Sequence, residues 1–157
     1  MLYRNVKVLF VDDDQNILNG FKRNLRNEVI GTFISNPVEA VAHIKSNFYH
    51  CIVSDYAMPE MDGISFLTKA REILPDTSRI LLTGFANLNV AIESVNLGNV
   101  FRFLTKPCPQ EILLNAIEAG YNQYQLINSE KVLLEKTLKG SIRVLVEILT
   151  VVNPLAF

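Results

Sequence analysis

Four apolar runs in this sequence end in residues able to do chemistry. KVLFV runs into Asp12-Asp13-Asp14, CIVSD ends on Asp55, RILLT ends on Thr83, and VFRFLT ends on Thr105-Lys106. Taken singly, each is ordinary. A strand-end Asp or Thr usually forms a turn, Asp14 stands where it caps the following helix, and a lone lysine before proline is usually a solvated side chain. Brought to one place, they are not ordinary. Asp12, Asp13 and Asp55 would put up to three negative charges within a few ångströms, raising at least one pKa unless a cation enters. Hard carboxylate oxygens with room for water suit Mg²⁺. Lys106 supplies a fixed positive charge for a phosphoryl oxygen, and Thr83 a hydroxyl donor for another. A carboxylate beside Mg²⁺ is a competent nucleophile toward phosphorus, so the set suits phosphoryl transfer to Asp55.

Such a site requires the four strand ends to converge, and the chain's rhythm predicts that they do. Apolar runs of about five residues alternate with segments of helical period, the pattern of βα units around a parallel sheet. KVLFV (7–11), VIGTFIS (29–35), CIVSD (51–55), RILLT (79–83) and VFRFLT (100–105) read as five strands. Ile17, Phe21 and Leu25 form the stripe of a first helix. Asn36-Pro37 opens a second that runs through Ile44, Gly63 begins a third stopped by Pro75, and a fourth carries Val90, Ala91 and Val95 toward Gly98. The fold class expected is therefore α/β, a doubly wound five-stranded parallel sheet, whose ligands bind at the C-terminal strand ends.

From Gln110 a helical pattern runs to Lys139 without a proline. Leu113, Ile117, Gly120, Tyr124, Ile127, Lys131, Leu134 and Leu138 recur at alternating spacings of four and three, a heptad seam. At 1.5 Å per residue this helix is about 45 Å long, more than one small domain covers, so its second half is expected to pack on another copy or domain. Beyond Gly140, SIRVLVEILTVVNPLAF leaves only Arg143, Glu147 and Thr150 as a polar stripe, the signature of a helix buried nearly all round. The expected organisation is a domain over residues 1–125, a helical linker over 126–140, and the start of a truncated further domain over 141–157.

Composition limits the partners. The 157 residues are 49% hydrophobic and 20% charged, which is globular rather than disordered, and a net charge of −1 gives no electrostatic case for nucleic acid. Cys51 and Cys108 lack metal-ligand spacing and read as free thiols in a reducing compartment. The N-terminal apolar run is short and ends in acids, so neither a signal peptide nor a membrane span is expected.

VLFVDDD, VSDYAMPEMDG, LLTG and FLTKP resemble the receiver domain of two-component response regulators, with the same order and spacing across all five strands. The resemblance covers residue 5 to about residue 125. It implies a flavodoxin-like sheet of strand order 2-1-3-4-5 and a cytoplasmic protein phosphorylated by a histidine kinase or phosphotransfer protein. On it, Asp55 is the phosphoacceptor. Asp13, Asp55 and the Ala57 backbone carbonyl hold Mg²⁺ directly, and Asp12 acts through water. Thr83 and Lys106 hold the phosphoryl group, Thr83 and Phe103 form the switch pair, and the Lys106–Pro107 peptide is cis. Gly84 departs from the alanine that receivers commonly carry after the switch threonine. LLTGFAN, VFRFLTKP and VNPLAF further resemble receivers fused to HD-type output domains. Such a protein would signal from the helix 4–strand 5–helix 5 face, through the long helix, to a C-terminal output domain, with a homodimer forming through that helix and its extension.

Two other readings fit part of the pattern. A haloacid dehalogenase-type phosphatase would use Asp12 and Asp14, but it wants Thr or Val where Asn16 stands and leaves Asp55 unexplained. A docking module independent of phosphorylation would not need the acidic set with Thr83 and Lys106.

Overall fold

The computed structural model describes residues 4–152. Five strands, β1 (Lys7–Val11), β2 (Ile30–Ile34), β3 (Cys51–Asp55), β4 (Ser78–Thr83) and β5 (Arg102–Thr105), form one sheet. All pairings are parallel and the order is β2-β1-β3-β4-β5. The helices are α1 (Gln15–Leu25), α2 (Pro37–Ile44), α3 (Gly63–Ile73), α4 (Leu88–Asn96) and α5 (Gln110–Val152), with a short 3₁₀ turn over Phe85–Asn87.

Alternation along the strands explains the layers. On β1, Val8 and Phe10 face a core built with Leu18 and Leu25 of α1 and Leu113 and Ile117 of α5. Leu9 and Val11 face the opposite core, with Ala40 of α2, Phe66 of α3 and Ala91 of α4. β3 and β4 are buried at every position, as central strands covered on both faces must be. Helix starts follow their capping residues. Asp14 accepts from Asn16 N at 2.9 Å, Asn36 from Val38 N at 2.8 Å, and Asp62 from Ser65 N at 2.7 Å.

Several boundaries differ from the sequence expectation. β5 is two residues shorter at its start, while α1 ends at Leu25, the last residue of its apolar stripe, because the chain turns there to begin β2. Helix α5 runs unbroken through Gly140 to Val152, where the sequence suggested a boundary. A single glycine costs a helix interior only about 1 kcal/mol, which its flanks outweigh.

By contacts the chain divides into residues 1–124 and residues 125–157. In the first unit, Leu113, Ile117 and Gly120 are spent on the domain's own sheet, so the heptad seam begins as a core contact. Gly120 allows close approach, since a Cβ there would lie 3.0 Å from Cys51 Sγ and 3.1 Å from Ser78 Cβ. Ser78 Oγ donates to the Gly120 carbonyl and Cys51 Sγ to that of Ile117. In the second unit, Leu126, Leu134, Leu138, Leu145 and Leu149 are exposed, and Arg143 pairs with Glu147 at 3.3 Å. No helix among the described residues is long and apolar enough to cross a membrane. Both cysteines are free, Cys51 buried with its thiol pushed up to about 12 by desolvation.

Candidate functional site

The C-terminal ends of β1, β3 and β5 deliver the charged groups to one cleft. Asp12, Asp13 and Asp55 each offer a carboxylate oxygen within 4.8 Å of the others. Asp12 is 1% exposed and Asp55 7%, whereas Asp13 lies open to solvent. Lys106 reaches in from the turn after β5. Its Nζ lies 2.9 Å from Asp55 Oδ1 and 3.2 Å from Asp12 Oδ2, tying the first strand to the third. Asp12 is further oriented by the Asp14 N–H, which donates to its Oδ1 at 2.9 Å.

Electrostatics here are unbalanced. Burial pushes the Asp12 carboxyl above its ordinary value, and the Asp55 charge adds to the push. The Asp14 N–H and Lys106 offset only part of it. Burial would draw the Lys106 ammonium down, but its hydrogen bond to Asp55 and the charges of both carboxylates raise it instead. One lysine facing three carboxylates leaves net negative charge in a partly desolvated cleft. An all-oxygen donor set of this kind, with one member open to water, fits a small divalent cation such as Mg²⁺.

The loop behind Asp55 is shaped by a residue whose role the sequence did not announce. Gly63 opens α3, and a Cβ on it would overlap the Asp55 carbonyl oxygen and meet Leu81 Cδ1 at 2.9 Å. The Gly63 N–H donates to the Tyr56 carbonyl at 2.7 Å, closing the turn. Within that turn Glu60 takes φ +69°, a left-handed conformation uncommon for a residue with a side chain. The pair Asp62-Gly63 signals a turn in sequence. Its contact with the strand carbonyl appears only once β3 and α3 are folded together.

The remaining expected residues surround the charged group without joining it. Thr83 is fully buried and its hydroxyl donates to the Gly84 carbonyl at 3.3 Å. The Thr83 carbonyl accepts from Lys106 N at 2.9 Å, coupling the ends of β4 and β5. Phe103 is half-buried against the core on the α2–α4 side. Ala57 lies exposed in the loop after β3. The Lys106–Pro107 peptide is cis. A Cβ at Gly84 would meet nothing within 4 Å, so the departure from alanine does not relieve crowding in this conformation.

Known proteins resemble this chain in sequence and in fold. Transcriptional regulatory protein FlgR of Helicobacter pylori is 34% identical over 137 residues, covering 85% of this chain and 34% of its own. A crystal structure described as adenylate cyclase from Rhodopirellula baltica superposes with TM-score 0.82 at 43% identity, covering 84% of this chain and 98% of that one. The signal receiver domain of an HD domain-containing protein from Pseudomonas fluorescens superposes with TM-score 0.73 at 25% identity, covering 82% and 96%. This chain spans about a quarter to a third of the length of the curated relatives it matches. The family model described as the response regulator receiver domain matches residues 8–118. That match runs from the first strand into α5 and takes in the whole cleft, and the chain belongs to the response regulator receiver domain family.

Proposed function

We propose that Asp55 is the phosphoacceptor of this receiver domain and that phosphorylation there drives its signal. The observation that carries this reading is the bridging of Asp55 and Asp12 by Lys106 within a three-carboxylate cluster. Asp55 is the carboxylate set at the end of a central strand, held by a cation and still reachable.

Asp13, Asp55 and the Ala57 carbonyl would hold Mg²⁺, with Asp12 acting through water. Bound there, the ion supplies positive charge against the oxygens of the transferring phosphoryl group. An Asp55 oxygen attacks phosphorus as the bond to the donor, a kinase or phosphotransfer histidine nitrogen, breaks, leaving an acyl phosphate and a neutral imidazole. Lys106 exchanges its carboxylate contact for a phosphoryl oxygen. The Thr83 hydroxyl leaves the Gly84 carbonyl for another phosphoryl oxygen, vacating space that Phe103 fills by turning inward. Those contacts exist only in the phosphorylated state, so they supply the differential free energy that shifts a two-state domain.

The proposed output surface is α4–β5–α5, where Val90 of α4 and Ile112 of α5 are exposed, as is Phe85 in the 3₁₀ turn before α4. Helix α5 carries the change onward, and the apolar face of residues 126–152 pairs with a second copy or an effector. An HD-type effector in a cytoplasmic protein is the reading carried by the LLTGFAN and VFRFLTKP resemblance and by the Pseudomonas fluorescens relative, VNPLAF lying almost wholly outside the described residues. The similarity to the Rhodopirellula baltica structure supports a nucleotide cyclase as the second reading.

Beryllofluoride with Mg²⁺ tests the site. Amide resonances of Asp55, Thr83 and Lys106 are expected to shift together in the wild-type chain and not in Asp55→Asn. A folded wild-type chain that ignores the reagent, or an Asp55→Asn chain that responds equally, overturns the assignment.

A further inference from the structure

The edge of the sheet at β2 has the features of a docking site. β2 is paired on one side only, with β1. Ile30 N donates to Val6 O, and Ile34 O accepts from Asp12 N, so the even-numbered residues of this strand turn their backbone groups toward β1. Alternation turns those of Gly31 and Phe33 toward the open edge. Beside that edge lies a cavity of about 340 Å³ under the C-terminal half of α1, lined by Lys22, Leu25, Arg26, Val29, Gly31 and Phe33, with Ile30 at its margin. The missing side chain at Gly31 lets the Phe33 ring lie across the strand, where it stacks on Phe10 at 5.1 Å and forms an aromatic floor.

Charge decides the occupant. Lys22, Arg23 and Arg26 lie on the last turns of α1 or just beyond it, and none forms an ion pair among the described residues. Between Gln15 and Ile34 the sequence holds one carboxylate, Glu28. Antiparallel pairing of two copies about a two-fold axis normal to the sheet would set both sets of cations on the same face across the seam. A second copy is therefore disfavoured, and an acidic strand is favoured. A guard against edge-to-edge association would explain the cations but not the aromatic-floored cavity beneath them.

We propose that β2 accepts an extended acidic segment of a partner protein as a sixth strand. Its main chain pairs with Gly31 and Phe33; on the α1 face the methylene stems of its acidic residues lie over the Phe33 floor with their carboxylates on Lys22 and Arg26, and its alternate apolar side chains cover the half-exposed Ile30 on the other face. This surface is separate from the Asp55 cleft and does not depend on phosphorylation.

The test uses the 157-residue chain and a short blocked peptide alternating glutamate with valine. Addition of the peptide is expected to shift the Gly31 and Phe33 amide resonances and slow their hydrogen exchange. A lysine–valine peptide is expected to do neither. Lys22→Glu/Arg26→Glu should weaken binding at least about tenfold, with Lys22→Gln/Arg26→Gln as a milder pair should the reversal impair folding. Equal binding of a peptide N-methylated at every second residue overturns strand pairing. Equal binding to the charge-reversed chain overturns the role of the cations. Concentration-dependent protection of Gly31 and Phe33 without peptide assigns the edge to a second copy, and no response up to the peptide's solubility limit overturns the proposal outright.

Discussion

The Lys106 ammonium sits 2.9 Å from Asp55 Oδ1, and it is the nearest counter-charge the buried carboxylates have in the described structure. Removing it should leave three carboxylates in repulsion. Lys106→Ala is expected to lower the stability of the metal-free domain by about 1–2 kcal/mol, a figure reduced for the partly exposed lysine. Mg²⁺ should restore more stability to this variant than it adds to the wild type. Urea unfolding with and without chelator reads both effects, and equal stability of the two metal-free proteins would count against the ion pair.

Asp12 predicts a pH dependence of opposite sign to that of most carboxylates. Its pKa is raised by burial, so the folded state keeps a proton that the unfolded chain loses near 3.8. Stability therefore falls as pH rises from 3.8 through the raised value. Other carboxylates contribute their own slopes, so the informative quantity is the wild-type curve minus that of Asp12→Asn, measured in chelator. Across the same window the apparent affinity for Mg²⁺ should rise with pH. A flat difference curve would mean that Asp12 ionises freely.

Glu60 carries a backbone conformation that glycine adopts without steric cost. Glu60→Gly is expected to stabilise the domain by about 0.5–1 kcal/mol, the relief of the left-handed conformation outweighing the added freedom of the unfolded chain. Thermal unfolding decides it. A fall in midpoint would show that Glu60 contributes through its side chain.

Two glycines of α5 should respond in opposite directions. At Gly120 a methyl group would press on Cys51 and Ser78, and Gly120→Ala is expected to cost about 1–2 kcal/mol despite the better helix propensity. At Gly140 a Cβ would meet nothing within 4 Å, and Gly140→Ala should increase helicity at 222 nm and add about 0.5–1 kcal/mol to the helix. The same sign at both positions would remove the packing role of Gly120.

Much of this was legible in residue order, for identifiable reasons. Five apolar runs marked the strands, four of them ending in acids or threonine, and the central runs stood out because parallel strands covered on both faces must be apolar throughout. Asp14 and Asn36 marked helix starts because an orphan N–H needs an acceptor there. Asp12, Asp13, Asp55 and Lys106 were recognised as a set because like charges converge in a fold only for a compensating reason. Other features depended on long-range packing. The heptad pattern could not separate Leu113 and Ile117, which serve the sheet, from Leu134 and Leu138, which do not. The run of α5 through Gly140 depended on the balance of its flanks, and the groove under α1 on the way Phe33 folds over Gly31.

Contact between Gly63 and the Asp55 carbonyl oxygen has a mechanical consequence. With no side chain between them, the end of β3 and the first turn of α3 sit in direct backbone contact. Any side chain at position 63 would have to push the first turn of α3 away from the end of β3. A transplant of the carboxylate to another scaffold would therefore have to carry the whole segment to Gly63 as one block.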